Sequence, residues 1–369
     1  MTECGSWYHQ PDARLWRCAP PPETAFQYHR GLPAYRPTAL VECPTLATEL
    51  GVGRVFVKDE SSRLGLGSFK VLGASWAVAR LLAARTVANA SLTVDVLRQA
   101  AAEDPFELVT ATEGNHGRAL AYVGRLLGLP VRVFAPDRVP AAAVAAIAAT
   151  GAEVSTVAEP YDRVVDRAAD YAAFRGRELV QDTAWPGYER VPGWIVAGYQ
   201  TLLGEIDGQL RVHGEPGPDL VAAPVGVGSL AQAVVTHYRA AQPPGPAVLA
   251  VEPTTAAGLM ASLRRGTPQS VPTTHTTMTG LNCGRLSSAA WPVLAAGLDA
   301  ATAVDDQAAQ AAVEDLASLG ISSGPSGAAS LAGVRAALSG TGHERRREEL
   351  GLTSASTVVL LNTEGATNR

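Results

Sequence analysis

The stretch KDESSRLGLGSFKVLGAS, residues 58–75, joins an apolar run to a segment of helical pattern and contains both lysines of a chain with 28 arginines. Arginine keeps its proton at any accessible pH, whereas a lysine amine can lose its proton and form a Schiff base with a carbonyl. Lys58 and Lys70 are therefore candidates for positions where the amine itself matters, with compositional drift toward arginine as the alternative. Lys70 follows the small residues LGLGS and is expected at a helix N-terminus, which discourages protonation and attracts an anion.

The composition predicts an ordinary soluble globular protein of one large or two domains. The chain has 369 residues, of which 47% are hydrophobic and 18% are charged, enough to bury a sizeable core. A net charge of -5 argues against a nucleic-acid partner, which requires a concentrated basic surface. Neither an export signal nor a membrane-length apolar run is evident. We therefore expect a cytoplasmic protein without a membrane partner.

The cysteines predict neither disulfides nor a metal site. Cys4, Cys18, Cys43 and Cys283 form no CxxC pair and have no zinc-type spacing to histidine. The expectation is a reduced protein that holds no structural metal.

Short apolar runs bounded by turns alternate with segments of helical period, which is typical of an α/β protein with a mainly parallel sheet. Strands are predicted at residues 54–60, 107–112, 131–136, 153–158, 219–225, 247–253 and 357–365. Helices are predicted at about 70–85, 116–128, 140–150, 161–176, 195–209, 229–242 and 306–319. The compact strand–turn–helix units around 107–158 indicate a smaller inserted α/β domain at 88–175 within a large domain at 1–87 and 176–369.

The string ATEGNHG, residues 111–117, ends a predicted strand and opens a helix, the position where open α/β sheets bind ligands. Asn115 offers a hydrogen-bond donor and an acceptor, and Glu113 offers a carboxylate. The alternative for Asn115 is a helix cap, which would explain the asparagine but not the whole string.

The string APVGVGSL, residues 223–230, also runs from strand through a glycine turn into a helix. The backbone N–H groups around Gly226 and Gly228, together with the Ser229 hydroxyl, predict a phosphate-binding site. The same residues match GxGxxA, with Glu252 at the end of the next strand as the acid of a dinucleotide site. That alternative gives no account of Lys70 or of ATEGNHG.

The string LLNTEG, residues 360–365, ends the last predicted strand with polar groups. Thr363 can hydrogen-bond a heteroaromatic nitrogen without fully protonating it. The alternative is a turn that terminates the strand.

A Schiff-base lysine, a phosphate site, an amide and a hydroxyl are together what pyridoxal 5′-phosphate requires. In their order along the chain, these motifs resemble the tryptophan-synthase-β-like family, which is fold type II of the pyridoxal enzymes, and within it the diaminopropionate ammonia-lyases. The strings that carry the resemblance are KDESSRLGLGSFKVLGAS (58–75), ATEGNHGRALAY (111–122), QDTAWPGYERVPGWIVAGYQTL (181–202), TGLNCG (279–284), SSGPSGAASL (322–331) and LLNTEG (360–365).

The resemblance implies two open, twisted, mainly parallel sheets flanked by helices, with the large domain binding the cofactor, and it implies a homodimer. It also implies roles for individual residues. Lys70 would form the Schiff base, with Phe69 packed beside it. Asn115 would bond the ring hydroxyl, Thr363 would face the pyridine nitrogen, and Asp182 would lie near the leaving amine. The phosphate would be held by Gly226, Val227, Gly228 and Ser229.

The implied reaction is β-elimination of 2,3-diaminopropionate or a closely related β-substituted amino acid. Aminoacrylate would be released and would hydrolyse to pyruvate and ammonia. Lys70 would be the base for the L isomer, and the acid at position 113 is suited to the D isomer. The alternatives are another fold type II enzyme of specialised metabolism (a serine or threonine dehydratase, a β-replacement synthase or a racemase), a nicotinamide oxidoreductase, or a ligand-binding regulator.

The chain departs from the family pattern at four positions. Glu113 replaces the aspartate of ATDGNHG, and Arg285 stands where NCGE has an acid. Pro325 replaces the glutamate of SGESGA, and Ala366 replaces the aspartate of TEGD. Arg285 either favours a substrate with a second anion or lies on the surface. Lys58 is left with two roles, one near the substrate or cofactor phosphate and one in a salt bridge with Asp59 or Glu60.

Overall fold

The computed structural model describes residues 7–20, 25–85, 92–240 and 245–366. Contacts divide these residues into two compact units. The larger unit takes residues 7–20, 37–62, 202–240 and 245–366, and the smaller unit takes residues 25–36, 63–85 and 92–201. Each unit contains its own sheet.

The strands are short, and most are rich in valine, alanine and leucine. In chain order they are β1 (Trp7–His9), β2 (Leu40–Glu42), β3 (Arg54–Asp59), β4 (Glu107–Ala111), β5 (Val131–Pro136), β6 (Glu153–Val157), β7 (Arg177–Leu179), β8 (Leu220–Pro224), β9 (Ala247–Pro253), β10 (Ala300–Val304) and β11 (Thr357–Asn362).

The helices connect these strands and cover the sheets. In chain order they are α1 (Phe26–Arg30), α2 (Pro44–Leu50), α3 (Lys70–Ala83), α4 (Val94–Glu103), α5 (Asn115–Leu127), α6 (Ala141–Ala149), α7 (Tyr161–Ala172), α8 (Arg190–Val212), α9 (Ser229–Ala240), α10 (Gly258–Arg265), α11 (Trp291–Gly297), α12 (Asp306–Ser318), α13 (Pro325–Leu338) and α14 (His343–Leu350).

The sheet of the larger unit has the order β1-β10-β9-β8-β11-β3-β2. Its inner strands run parallel, and only β1 and β2 pair antiparallel, at the two edges. Every residue of β8, β9 and β11 is buried, as expected when helices cover both faces of a parallel sheet. Because β8 and β11 are parallel neighbours, the segments that follow Pro224 and Asn362 both leave the sheet at the carboxyl ends of its strands.

The sheet of the smaller unit has the order β6-β5-β4-β7 and is parallel throughout. The carboxyl end of β4 leads through residues 112–114 into α5, and the carboxyl end of β7 leads to residues 180–182. Since β4 and β7 are neighbours, both segments leave one edge of this sheet. That edge is where ligands bind in open α/β folds.

All seven predicted strands and all seven predicted helices are present, with shifted ends. β11 stops at Asn362 and not at residue 365, and α8 begins at Arg190, ahead of the predicted 195. Pro192 does not prevent this early start, because proline is tolerated in the first turn of a helix. The α/β class with two mainly parallel sheets is confirmed.

The smaller unit includes more of the chain than the inserted domain predicted at 88–175, since it also contains α3 and the first half of α8. These helices approach closely at two glycines. A Cβ atom on Gly198 would lie 2.5 Å from the carbonyl oxygen of Leu72, and one on Gly73 would lie 2.6 Å from Ile195 and Tyr199. α3 also packs on α5, so it belongs to the smaller unit.

None of the helices in the described ranges combines the length and the apolar character needed to cross a membrane.

Candidate active site

Lys70 is the first residue of α3, as the sequence predicted. It is reached through a turn in which Leu64, Gly65 and Gly67 adopt positive φ angles of 48°, 70° and 77°. Positive φ is easily adopted only by glycine, which explains the glycines of LGLGS. The turn brings the lysine to the helix N-terminus with one fifth of its side chain exposed.

The amine of Lys70 donates a hydrogen bond to Oδ2 of Asp182 at 2.5 Å. The ring of Phe69 lies with its centroid 5.2 Å from the same nitrogen and packs on Tyr199 at a centroid distance of 4.7 Å. Three of the predicted site residues, Phe69, Lys70 and Asp182, are therefore brought together within the smaller unit.

Asp182 is ionised although it is buried. Burial alone would raise its pKa, but the adjacent Lys70 ammonium and its hydrogen bond lower the pKa to about 2. His116 is also near, but burial lowers the pKa of its imidazole, so Lys70 supplies the positive charge at neutral pH. A carboxyl group with this pKa can attract a cation but cannot serve as a proton donor near pH 7.

The turn between β4 and α5 is capped by a threonine hydroxyl. The hydroxyl of Thr112 accepts hydrogen bonds from the N–H groups of Gly114 and Gly117, both at 2.9 Å, and so satisfies the start of the helix. Asn115 is itself the first helical residue. The N-cap position belongs to Gly114, and the ligand role of Asn115 stays a prediction.

Glu113 lies in the same turn, with 9% of its side chain exposed. Its Oε1 accepts a hydrogen bond from Nη2 of Arg138 at 2.5 Å. Burial raises the pKa of Glu113, and the Arg138 charge opposes that rise. Glu113 and Asp182 follow the neighbouring strands β4 and β7, so both carboxylates belong to one edge of the smaller sheet.

Gln181 connects the ends of β4 and β7 through hydrogen bonds of its side-chain amide. Its Oε1 accepts hydrogen bonds from the Thr110 hydroxyl and the Ala111 N–H, both at 2.9 Å. Its Nε2 donates to the Tyr161 hydroxyl at 2.8 Å and lies 3.4 Å from Oδ1 of Asp182. The amide thus connects the end of β4 to the segment that contains Asp182.

In the larger unit, β8 ends at Pro224 and α9 begins at Ser229. The N–H groups of Gly226, Val227 and Gly228 donate to no other described residue. Gly228 has a φ of 95°, and a Cβ atom on Gly226 would lie 3.0 Å from the carbonyl oxygen of Gly280. Adjacent N–H donors at the N-terminus of a twelve-residue helix fit a phosphate group.

Thr363 directly follows β11, the strand next to β8. It is buried, and its hydroxyl bonds to no atom in the described part of the chain. The neighbouring Asn362 instead stabilises the strand end, with its amide donating to Oδ1 of Asp59 at 2.9 Å and to the Ser322 carbonyl at 2.8 Å. The strand-terminating role thus falls to Asn362, and the Thr363 hydroxyl suits a ligand atom.

Glu252 does not have the geometry of a dinucleotide site. Its two carboxylate oxygens accept hydrogen bonds from the N–H groups of Leu259 and Met260, each at 2.8 Å, at the start of α10. It is fully buried, and burial raises its pKa to about 8. A ribose could not reach this carboxyl group, so Glu252 cannot be the ribose-binding acid that the dinucleotide alternative requires.

Lys58 is buried in the larger unit. Its amine donates to the Thr38 carbonyl at 2.9 Å, to Oε2 of Glu205 at 2.7 Å and to Oε1 of Gln209 at 2.8 Å. A salt bridge is thus part of this setting, and the acid with which the structure shows it is Glu205.

Two of the departures from the family pattern lie on the surface. Arg285 and Ala366 are exposed, which favours the surface alternative for Arg285. Pro325 is the first residue of α13, where proline's missing N–H costs no hydrogen bond. The carboxylate of Glu364 accepts the next N–H, that of Ser326, at 3.2 Å.

Sequence reasoning missed several residues of the site. Thr112, Gln181 and His116 lie within or beside the strings quoted above, but their partners depend on the folded sheet. Nε2 of His116 bonds the Val180 carbonyl at 2.7 Å, and its buried Nδ1 has no partner among the described residues. Nothing in the sequence distinguishes Arg138 from the other arginines.

The chain matches the family model described as pyridoxal-phosphate dependent enzyme over residues 32–363, and it belongs to that family. Its fold is that of the fold type II enzymes, and pyridoxal phosphate is its cofactor. The donor set described above agrees, since it offers an accessible lysine amine and unpaired backbone N–H groups.

Within that family, the chain belongs with the diaminopropionate ammonia-lyases. It is 34% identical over 355 residues to diaminopropionate ammonia-lyase of Escherichia coli, covering 93% of this chain and 88% of the relative. It is 33% identical over 357 residues to that of Salmonella typhimurium, covering 92% and 88%.

A crystal structure of the Escherichia coli enzyme in complex with an aminoacrylate-PLP azomethine reaction intermediate has a TM-score of 0.83, at 30% identity over 98% of this chain and 91% of that one. The complex of the same enzyme with D-serine has a TM-score of 0.84 at 31% identity, over 98% of this chain and 90% of that one.

Proposed function

We propose that the protein eliminates the β-amine of 2,3-diaminopropionate and yields pyruvate and ammonia. The observation that carries the proposal is the contact between Lys70 and an ionised, buried Asp182 in a chain that is 33–34% identical to diaminopropionate ammonia-lyases. A lysine amine can remove a proton, and a carboxylate can hold a cationic leaving group, so the pair offers both functions that the reaction needs.

Each unit offers groups that would hold the cofactor. In the larger unit, the N–H groups of Gly226, Val227 and Gly228 and the hydroxyl of Ser229 would bind its phosphate, and Thr363 would face its ring nitrogen. In the smaller unit, Asn115 would bond its ring hydroxyl, and Phe69 would pack beside the attached lysine. When bound, pyridoxal phosphate withdraws electrons from the substrate Cα and so acidifies its proton.

Lys70 has two tasks in this proposal. Its amine would hold the cofactor, and once released the same amine would take the Cα proton of the L isomer. Both tasks require the neutral amine, so the ammonium that pairs with Asp182 must first give up its proton. Glu113 removes the proton of the D isomer.

Asp182 binds the β-ammonium group of the substrate. Since its pKa is about 2, it acts through its charge and does not supply a proton. The β-ammonium needs none, because it leaves as neutral ammonia with the electrons of the Cβ–N bond. The released enamine then hydrolyses in water to pyruvate and a second ammonia.

The test is to incubate the purified holoenzyme with L- and D-2,3-diaminopropionate and to quantify pyruvate and ammonia together. We expect two ammonia molecules for each pyruvate. A panel of L-serine, D-serine and L-threonine serves as the comparison. Faster turnover of a hydroxy amino acid, or no product while the yellow cofactor is bound, would contradict the assignment.

We also propose that the enzyme is a cytoplasmic homodimer. In support, the cysteines that the structure describes carry thiols and form no disulfides, as is usual in a reducing compartment. Light scattering coupled to size exclusion should give a mass of twice that of the chain, and a monomer mass would contradict the dimer.

A further inference from the structure

Among the described residues, one cation, Arg138, pairs with the carboxylate of Glu113. Arg138 lies just after β5, and Glu113 lies just after β4, the parallel neighbour of β5. The connections that follow two neighbouring parallel strands leave the same edge of the sheet, which brings the two side chains together at 2.5 Å. Glu113 is largely buried, whereas two fifths of the Arg138 side chain is exposed.

This ion pair weakens the carboxylate as a base. A neighbouring guanidinium stabilises the ionised form of a carboxyl group and lowers its affinity for a proton. For Glu113, burial acts in the opposite direction, and Arg138 is the charged group that opposes the burial effect. The pair also engages Oε1 of the carboxylate with the arginine.

We propose that Arg138 is a specificity-determining residue that restrains Glu113 as a proton acceptor and thereby makes the L isomer the preferred substrate. The inference rests on the proposed function, in which Glu113 takes the Cα proton of the D isomer and Lys70 takes that of the L isomer. When the D isomer reacts, this proton moves to a carboxylate oxygen of Glu113, and the electron pair stays on the substrate. Arg138 acts through Glu113 and takes no part in the bond changes.

The test compares both isomers in the holoenzymes of wild type and Arg138→Met. We expect kcat/KM for the D isomer to rise at least fivefold in the variant, mainly through kcat, while the value for the L isomer changes less than twofold. Arg138→Lys keeps the charge and should keep the wild-type ratio of the isomers. Arg163→Met, which removes an exposed ion pair with Asp166 in the same unit, is the matched control and should change neither isomer.

The double variant Glu113→Gln/Arg138→Met separates this role from a general effect on folding. If Arg138 acts through Glu113, the gain on the D isomer disappears in the double variant. A gain that persists without Glu113, an equal change for both isomers, or a fall for the D isomer in Arg138→Met would each overturn the proposal.

A second readout does not depend on turnover. In cofactor-free protein, carbon-13 NMR of labelled glutamate should show a higher pKa for the Glu113 carboxyl in Arg138→Met than in wild type, with the signal assigned by its loss in Glu113→Gln. An unchanged pKa overturns the restraint even if the enzyme is active. Turnover of neither isomer, with the pKa shifted, overturns the proposed function and leaves the restraint by Arg138 supported.

Discussion

At the scale of single residues, the two lysines occupy settings that an arginine would not fit. The amine of Lys58 directs its three protons at three oxygens of Thr38, Glu205 and Gln209, which suits a compact ammonium and not a planar guanidinium. In the proposed function, Lys70 needs an amine that can lose its proton. The proposal therefore gives the same rare residue type one structural and one chemical position.

We expect Lys58→Met to lower the free energy of unfolding by about 3 to 5 kcal/mol, because it leaves the Glu205 carboxylate buried without its cation. The double variant Lys58→Met/Glu205→Leu should recover most of this loss, since a buried ion pair can be replaced by apolar side chains at little cost. Urea unfolding measures both. If Lys58→Met is as stable as wild type, the structural role of Lys58 is contradicted. If the double variant is stable but binds the cofactor more weakly, Lys58 has a role near the phosphate.

Asp182 should make stability depend on pH in the cofactor-free protein. Its pKa falls from 3.8 to about 2 on folding, so its contribution is complete above pH 3.8 and is lost as the pH falls toward 2. A shift of this size corresponds to about 2 kcal/mol.

The measurement for Asp182 is urea unfolding of wild type and Asp182→Asn between pH 3 and pH 7. We expect the difference between their free energies of unfolding to be constant from pH 7 to pH 5 and to shrink below pH 4. A difference that is the same at pH 3 and at pH 7 would show that folding does not lower the pKa of this carboxyl group.

At the scale of elements, close approach between helices positions Lys70. α3 and the first half of α8 touch where Gly73 and Gly198 leave no room for a side chain. The same contact places Tyr199 against Phe69, the residue before Lys70. Among the glycines of α8, Gly198 lies at this contact, whereas open space lies beside the others, Gly193, Gly204 and Gly208.

Gly198→Ala and Gly204→Ala should therefore have opposite effects on stability. A Cβ atom at position 198 would lie 2.5 Å from the Leu72 carbonyl oxygen, so we expect a loss of about 1 to 3 kcal/mol from overpacking. At position 204 alanine meets no atom and should stabilise the helix by up to about 1 kcal/mol. Urea unfolding of the two variants tests this, and an equal effect of both would show that α3 and α8 do not pack this closely.

At the scale of the whole molecule, the parts that could be predicted from sequence were those with a strong local pattern. Most inner strands are buried runs, and the glycine turns after β4 and β8 carry the site strings, but the inner strand β10 was not predicted. The edge strands β1, β2 and β7 were missed because three residues are too few to show a period. α13 was missed because it is buried all round and has no polar face. The partnership of Glu113 with Arg138 depends on the pairing of β4 with β5, which no local pattern reveals.

Removal of the cofactor should lower the stability of the folded protein, because a ligand that binds only the native state stabilises it by mass action. At a free pyridoxal phosphate concentration of 100 times its Kd, the expected gain in the free energy of unfolding is about 2.7 kcal/mol. Pyridoxal, which lacks the phosphate, should give a smaller gain at the same concentration because the N–H groups of Gly226, Val227 and Gly228 then have no anion to bind.

The role of the phosphate can be isolated with one glycine. Gly226→Ala puts a Cβ atom 3.0 Å from the Gly280 carbonyl oxygen and displaces the donors, so pyridoxal phosphate should bind at least tenfold more weakly while pyridoxal binding hardly changes. Gly217→Ala, where the added atom meets nothing within 4 Å, is the matched control. Equal stabilisation of wild type by pyridoxal and pyridoxal phosphate would show that the segment after β8 does not hold the phosphate, because its donors would then contribute nothing that the lysine and the ring contacts do not already supply.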